Sequence, residues 1–379
     1  MEMRKMEKLG VETSLLGFGC MRFPTSKNGK IDRVLTEHMI NKAIDHGVNY
    51  FDTAWFYHDG ESEVVVGEIL KKKKRDTFYI ATKLPIGILH NKKEAQETFA
   101  KQLRRLQMDW FDFYLLHGIS REGYEKAVKT GMLDLCLDLQ KQGRIKNLGF
   151  SFHGPYEDFE YILNDRDWDF CQIQLNYMDT DDQAGLKGYE LTREKGVPAI
   201  IMEPVKGGSL AKLPDEILDI LKGIDFKGSC ASLAMRFVGE LENVKVVLSG
   251  MSSIEQVEDN LSTFNKLVPL TEIEHTALDN VKASMDKRVC NNCTDCKYCM
   301  PCPAGVNIPK NFYTWNQYGV YQNLGWLNWQ WKYAFPESEK GIHCTDCGAC
   351  EKACPQKITI REDLKKARKD IEEALKNCI

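Results

Sequence analysis

The spacing of its cysteines constrains this chain more than any other feature. The sequence has 14 cysteines, and nine of them fall between residues 290 and 354. Eight of these form two sets of four, each followed by proline: Cys293, Cys296, Cys299 and Cys302, and then Cys344, Cys347, Cys350 and Cys354. In a reducing compartment, cysteines clustered this densely indicate metal ligation and not disulfides.

The second set has the C-x2-C-x2-C-x3-C-P spacing of bacterial ferredoxins, and the first set is one residue shorter before its last cysteine. In ferredoxins the fourth cysteine of each run ligates the other cluster. The resemblance therefore implies two [4Fe–4S] clusters, one on Cys293, Cys296, Cys299 and Cys354 and the other on Cys302, Cys344, Cys347 and Cys350. Structural zinc is the alternative, but zinc sites usually use four cysteines in all, in paired C-x-x-C units.

The remaining cysteines lack such partners. Cys290 extends the two-residue spacing one step backward, and we interpret it as a spare thiol. We interpret the others as ordinary core or surface thiols: Cys20, Cys136, Cys171, Cys230 and Cys378.

Residues 14 to about 265 alternate between strand and helix patterns. Eight short segments rich in Val, Ile, Phe and Tyr are typical of strands: residues 16–21, 50–54, 78–84, 111–117, 147–152, 170–176, 198–204 and 244–250. Helical spacing separates them, as in residues 36–45, 94–106 and 133–140. Eight such units within about 250 residues predict a closed parallel (β/α)₈ barrel, or TIM barrel. An open doubly wound sheet is the alternative, but residues 17–22 read Gly-Phe-Gly-Cys-Met-Arg and lack the G-x-G-x-x-G fingerprint.

The predicted fold class is therefore α/β, with two domains. Residues 1–285 form the barrel, and residues 286–379 form a small ferredoxin-like iron–sulfur domain, α-helical or α+β, with a charged helix over 361–376. Between the two cysteine sets lies an aromatic-rich insert, residues 313–335. We interpret its aromatic side chains as packing for a domain with little aliphatic core; the alternative is that some of them line a substrate pocket.

Charge and hydropathy exclude several classes of protein. The net charge of −4 over 379 residues gives no electrostatic footprint for nucleic acid. Apolar stretches fall far short of the roughly 18 residues of a membrane span. The first ten residues alternate Lys, Glu and Met and lack the apolar core of a signal peptide, which predicts a cytoplasmic protein.

Four titratable side chains follow neighbouring predicted strands of the barrel. Asp52 and Tyr57 follow the second strand, Lys83 ends the third and His117 ends the fourth. Barrel chemistry gathers at these strand ends, so we expect the four side chains to converge. A neighbouring ammonium lowers the pKa of a phenol, and Tyr57 can then give a proton to a carbonyl oxygen. Asp52 holds Lys83 charged, and His117 orients the carbonyl.

This constellation resembles the aldo-keto reductases. The segment 50–57 (Tyr-Phe-Asp-Thr-Ala-Trp-Phe-Tyr), with Glu63, Gly67, Lys83 and His117, carries the resemblance over roughly residues 10–265. The tetrad of that family corresponds to Asp52, Tyr57, Lys83 and His117. The cysteine runs resemble those of a branch of the family fused to a dicluster ferredoxin module. The resemblance implies a nicotinamide coenzyme, NADP or NAD, extended across the barrel mouth without a Rossmann domain.

The resemblance also implies coenzyme contacts. It assigns them to the tetrad member Asp52 and to these positions: Gly19, Cys20, Met21, Ser151, Gln172, Met202, Gly250, Asp259 and Asn260. Phe152 stands where the family has an asparagine, and Met202 stands where it has a stacking tyrosine. Gly250, Met251 and Gln256 replace groups that often clamp a 2′-phosphate, so a strong NADP preference is not implied.

The leading hypothesis is a nicotinamide-dependent oxidoreductase that reduces a small carbonyl or oxidises an alcohol, with two clusters that exchange electrons with a redox partner protein. The alternative is an iron–sulfur electron-transfer or redox-sensing protein with a weakly active barrel. Under a third hypothesis the clusters only stabilise a small domain.

Overall fold

We describe the fold from a computed structural model, which covers residues 1–376; Cys378 lies outside the described residues. Eight parallel strands close into a barrel in the order β10-β3-β4-β5-β6-β7-β8-β9. The barrel strands are β3 (Leu16–Gly19), β4 (Tyr50–Asp52), β5 (Tyr79–Leu84), β6 (Phe111–Ile119), β7 (Ile145–Phe152), β8 (Phe170–Gln174), β9 (Ala199–Met202) and β10 (Val244–Gly250). The predicted TIM barrel is confirmed, although four strands end two residues earlier than the sequence indicates.

The helices that follow the strands cover the outside of the barrel. They are α1 (Arg33–Asp45), α2 (Glu61–Leu70), α3 (Lys92–Leu106), α4 (Arg121–Lys129), α5 (Met132–Lys141), α6 (Tyr156–Asp165), α7 (Gly185–Glu194), α9 (Cys230–Gly239) and α10 (Ile254–Asn265). Side-chain caps fix several starts: Asp32 accepts from Leu35 N at 3.0 Å, and Asn91 accepts from Glu94 N at 3.0 Å. Such caps satisfy amides that have no partner within the helix.

A hairpin precedes the barrel and was not predicted. Strand β1 (Met3–Met6) pairs antiparallel with β2 (Val11–Ser14), and Gly10 turns between them at φ 65°. Met6 is buried and packs with Tyr50, Phe113 and Val246, which belong to the interior of the barrel. The hairpin therefore adds an apolar side chain to the barrel core.

The chain divides into two compact units. One consists of Met1–Ala211 and Gly228–Thr271 and contains the barrel. The other consists of Lys212–Lys227 and the chain from Glu272 onward. The predicted domain boundary between residues 285 and 286 stays a prediction.

The second unit is helical. Its helices are α8 (Asp215–Gly223), α11 (Glu272–Asp286), α12 (Ile308–Tyr321), α13 (Leu324–Trp329), α14 (Ala349–Ala353) and α15 (Ile360–Lys376). One face of α15 packs Leu364 and Ile371 against Phe312 and Trp315 of α12. From the aromatic insert, Trp315, Trp331 and Phe335 are buried in this core, whereas Tyr313, Trp329 and Tyr333 are exposed.

Across residues 1–376, the helices are all too short or too polar to traverse a bilayer.

Candidate active site and cysteine cavities

Lys83 is the centre of a hydrogen-bonded group at the carboxyl ends of β4 and β5. Its Nζ donates to Asp52 Oδ1 at 2.5 Å, to the carbonyl oxygen of Thr53 at 2.9 Å and to Tyr57 Oη at 3.2 Å. An ammonium has three hydrogens, so these three acceptors fix its position. The Lys83 side chain is 1% exposed and Asp52 is 3% exposed, so water does not compete for these bonds.

Burial and charge oppose one another at this group. Burial acts to lower the pKa of Lys83, but Asp52 and Tyr57 more than offset it and the pKa of Lys83 is raised. Burial raises the pKa of the Tyr57 phenol, and the Lys83 ammonium offsets only part of that rise. Lys83 thus acts in the predicted direction and lowers the pKa of the phenol, but desolvation of the phenolate outweighs the ammonium and the pKa of Tyr57 is raised. Tyr57 stays protonated at neutral pH.

His117 completes the group from β6. Its ring lies edge-on to the Tyr57 ring, with 6.2 Å between the ring centroids. Burial, Lys83 and His153 together lower the pKa of His117 to about 3. The imidazole is therefore neutral at neutral pH, and its one N–H is available to an oxygen at the barrel mouth.

A buried network behind Lys83 holds its strand in place. Gln102 of α3 donates to the carbonyl oxygen of Lys83 at 3.0 Å and to Glu63 Oε1 at 2.8 Å. Arg105 donates to Glu63 Oε2 at 2.9 Å and lies 4.1 Å from the centroid of the Trp55 ring. Glu63 is fully buried, and its charge is matched by Arg105. The sequence reasoning did not include Gln102 or Arg105, whose only signal is their position on the inner face of α3.

The turn that carries Tyr57 is held by the same network. His58, Asp59 and Gly60 follow one another in left-handed backbone conformations, at φ 50°, 54° and 86°. A Cβ at position 60 would lie 2.8 Å from Nη2 of Arg105, so a side chain there would displace the guanidinium. Arg105 thus packs directly against this turn, and strained backbone of this kind is common at functional sites.

The predicted coenzyme contacts occupy different places around the barrel rim. Gln172 donates to Asp52 Oδ2 at 3.1 Å, so its amide nitrogen is bound to the tetrad. Ser151 Oγ accepts the backbone N–H of Gly118 at 2.7 Å. Asn260 donates to Ser249 Oγ at 2.8 Å. Gln172 and Ser151 therefore lie beside the tetrad.

The other predicted contacts line the edge formed by β3, β9 and β10. Gly19 is paired with Gly250 on one side and with Asp52 on the other, and Cys20 is buried next to them. Met21 is exposed and Met202 is half-buried at the end of β9. Asp259 accepts from Ser229 Oγ at 2.6 Å.

Arg22 is a cation at this edge that the sequence reasoning left out. A Cβ at position 250 would lie 2.7 Å from Cγ of Arg22, so the absence of a side chain at Gly250 makes room for the arginine. Arg22 also contacts the β10–α10 loop through its carbonyl oxygen, which accepts from Ser252 Oγ at 2.6 Å.

In the second unit, two cavities are lined by the predicted cysteine sets. One cavity is lined by Cys293, Cys296, Cys299 and Cys354. The other is lined by Cys302, Cys344, Cys347 and Cys350, with Cys299 also at its wall. The structure thus brings the fourth cysteine of each run to the cavity of the other run. Thiols around a cavity fit iron–sulfur clusters, whose ligands are cysteine thiolates.

Two details refine this description. Within residues 1–376, no three His, Cys, Asp or Glu side chains lie close enough to hold a single metal ion. Cys290 lies outside the lining of both cavities. Its Sγ is 3.6 Å from the carbonyl oxygen of Arg288, and a Cβ built on Gly319 would lie 2.4 Å from the same Sγ.

The barrel and its tetrad define an oxidoreductase of the aldo/keto reductase family, and comparison with known proteins establishes that the chain belongs to it. The family profile matches residues 15–283. A second profile, that of the 4Fe-4S dicluster domain, matches residues 292–379. Both resemblances drawn from the sequence are confirmed.

Individual relatives align with the barrel part of the chain. An uncharacterized oxidoreductase of Bacillus subtilis, YqkF, is 26% identical over 310 residues, which is 74% of this chain and 96% of the relative. The NADH-specific methylglyoxal reductase of Escherichia coli is 25% identical over 325 residues, with the same shares covered. Among solved structures, the holo form of aldo-keto reductase AKR11C1 from Bacillus halodurans is 26% identical, with a TM-score of 0.63 over 74% of this chain and 96% of that one.

Proposed function

We propose that this protein is a nicotinamide-dependent oxidoreductase that reduces a small carbonyl compound, or oxidises the corresponding alcohol, at the barrel mouth. Two [4Fe–4S] clusters exchange electrons with a redox partner protein. The observation that carries the proposal is the position of Lys83 Nζ, hydrogen-bonded at once to Asp52 and to Tyr57.

The chain's own residues account for the proton. Tyr57 is protonated at neutral pH, because burial raises its pKa. It gives that proton to the carbonyl oxygen, and the phenolate that remains is stabilised by the adjacent Lys83 ammonium. Neutral His117 orients the same oxygen through its N–H. A bound nicotinamide supplies the hydride that the carbonyl carbon gains.

The rim residues are the candidates to hold the coenzyme. Gln172 and Ser151 lie beside the tetrad, where the reacting ring has to be placed. Asp259 and Asn260 of α10 lie on the β10 side, where Arg22 packs over Gly250. A relative that is an NADH-specific reductase supports use of NADH by this barrel.

The cysteines account for the second part of the proposal. Cys293, Cys296, Cys299 and Cys354 would hold one cluster, and Cys302, Cys344, Cys347 and Cys350 the other. Such clusters carry single electrons. Because a hydride carries two electrons, two clusters together match one hydride.

The test is anaerobic rapid mixing of the purified holoprotein with NADH or NADPH, with and without a panel of small aldehydes. Without an aldehyde, we expect the two electrons of each oxidised coenzyme to bleach the clusters. With an aldehyde, the hydride goes to the carbonyl carbon instead, so alcohol forms in place of bleaching. Lys83→Met is the control, because it removes the centre of the tetrad and leaves the cysteines intact. A protein that binds neither coenzyme, but whose clusters are reduced chemically, would be an electron-transfer or sensing protein.

A further inference from the structure

A chain of hydrogen bonds crosses the barrel mouth beside the tetrad and ends at His153. Lys206, in the loop after β9, forms an ion pair with Asp179. Gln174 Nε2 donates to Asp179 Oδ2 at 3.0 Å, and Gln183 Nε2 donates to Gln174 Oε1 at 2.5 Å. His153 Nδ1 lies 3.1 Å from Gln183 Oε1. This row of hydrogen bonds joins residues at the ends of β7, β8 and β9.

The chemistry of these groups fixes the direction of each bond. A carboxylate only accepts hydrogen bonds, so Gln174 must turn its NH₂ group toward Asp179 and its oxygen toward Gln183. Gln183 in turn donates to Gln174 and presents its own oxygen to His153. Nδ1 of His153 must therefore carry a hydrogen, and in the form of the ring that carries only this hydrogen Nε2 has a lone pair.

The network behind His153 is rigid, although the His153 ring itself is exposed. Gln174 is 5% exposed, and Asn176 is fully buried and donates to the same Asp179 oxygen at 3.0 Å. Gln183 and Lys206 are held in left-handed backbone conformations, at φ 55° and 47°. Such strain persists where the surrounding contacts fix the backbone, and it concentrates at functional sites. An exposed ring held by a buried network is preorganised for a ligand.

The edge of the ring that carries Cδ2 and Nε2 lies next to Gly118. A Cβ at Gly118, the residue after His117, would lie 4.0 Å from Cδ2 of His153, the ring atom bonded to Nε2. Gly118 has no side chain to separate this edge from His117. Within residues 1–376, Nε2 has no hydrogen-bond partner.

We propose that His153 is a substrate-contacting residue, and that its Nε2 accepts a hydrogen bond from a hydroxyl on the carbon next to the reacting carbonyl. The preferred substrates are then α-hydroxy carbonyl compounds. This inference rests on the proposed function, because it places the carbonyl at Tyr57 and His117. His153 follows β7, and its N–H donates to Ile119 O of β6, two residues after His117. Since adjacent strands are about 4.8 Å apart, its side chain is within reach of a substituent next to a carbonyl held by His117.

The kinetic test compares lactaldehyde with propanal, which differ by that one hydroxyl. We expect His153→Phe, which keeps a ring and removes the acceptor, to lower the ratio of the two kcat/KM values about tenfold, the effect of one hydrogen bond. The loss should fall mainly on the KM for lactaldehyde. His46→Phe is the matched control, since that histidine is exposed at the C-cap of α1 and, among residues 1–376, its ring bonds only to Lys42 O. An unchanged ratio in His153→Phe overturns the proposal.

A second measurement keeps this test distinct from that of the proposed function. Nitrogen-15 NMR, assigned with His153→Phe, should show the hydrogen of His153 on Nδ1 in the wild type. Gln183→Leu removes the acceptor of this hydrogen, so it should abolish the preference for the hydrogen on Nδ1. It should also lower the ratio of kcat/KM for lactaldehyde to kcat/KM for propanal. A wild-type ring with its hydrogen on Nε2 refutes the His153 proposal whatever the turnover. Failure to reduce any aldehyde, with the Nδ1 hydrogen in place, refutes the carbonyl-reductase function instead.

Discussion

Replacement of Tyr57 by phenylalanine removes the one hydrogen that the proposed mechanism transfers to the substrate. The ring and its edge contact with His117 remain. Loss of an acid–base group typically lowers a rate 10²–10⁴-fold, which corresponds to about 2.7–5.4 kcal/mol of transition-state stabilisation. We expect kcat for carbonyl reduction to fall by that factor, with coenzyme affinity retained.

Stability changes by a smaller and separate amount. In Tyr57→Phe, Lys83 keeps Asp52 and the Thr53 carbonyl oxygen but loses the acceptor at 3.2 Å. A buried donor without a partner costs about 1–3 kcal/mol, so the free energy of unfolding should fall by that much. Urea titration followed by circular dichroism measures it.

Tyr50→Phe is the matched control for this prediction. Tyr50 is a fully buried tyrosine of β4, the strand that precedes the turn of Tyr57, and its hydroxyl has no hydrogen-bond partner within residues 1–376. Its removal should leave both turnover and stability unchanged, or raise stability slightly. Full activity of folded Tyr57→Phe protein would refute the assignment of Tyr57 as proton donor and move the chemistry away from the tetrad.

Three further predictions concern the clusters, the coenzyme and pH. Anaerobically purified protein should hold about eight iron atoms per chain; Cys350→Ser should lose a cluster and Cys290→Ser none. Calorimetry should show less than about a hundredfold preference for NADPH over NADH, since a charged phosphate contact is worth about 1.5–3 kcal/mol and Gly250 provides none. The pKa of His117 is lowered to about 3 in the folded protein, so between about pH 6.5 and pH 3 this histidine binds a proton only in the unfolded chain. The free energy of unfolding should therefore fall as the pH is lowered through this range, by at most about 1.4 kcal/mol per pH unit.

Each of these has its own contrary result. Zinc without sulfide would exclude the clusters. A much larger NADPH preference would point to Arg22, which lies over Gly250. The pH prediction is tested by the difference in the free energy of unfolding between the wild type and His117→Gln, measured as a function of pH. A difference that does not change between pH 6.5 and pH 3 would refute it.

The sequence predicted the barrel well because its strands carry a strong local signal. Each is a short run of β-branched and aromatic residues, and each is followed by a helix of regular spacing. The hairpin before residue 14 was missed because β1 and β2 have four residues each and alternate with charges. The exact end of a strand, such as that of β8 at Gln174, was less predictable. It depends on the loop that follows, and the loop is fixed by tertiary contacts.

The site was predictable in its residue types and not in its energetics. The order of Asp52, Tyr57 and Lys83 along the strands indicated that they converge, and the structure places them in one hydrogen-bonded group. The lowering of the Tyr57 pKa by Lys83 was predictable, but the larger rise caused by burial was not, because desolvation depends on the whole fold around the phenol. Gln102 was missed as a neighbour of the tetrad because a polar residue on a helix is in most proteins solvated.

The crossed cysteine sets have a consequence for the biogenesis of the protein. Cys354 lines the cavity of the first run and Cys302 that of the second, so neither run surrounds a cavity by itself. During synthesis, Cys293, Cys296 and Cys299 leave the ribosome long before the cysteine that completes their set. With the ligand sets proposed above, the first cluster can acquire its full set only after Cys354 has been made, and the second only after Cys350, so neither cluster can be completed while its first-made cysteines are the only ones available.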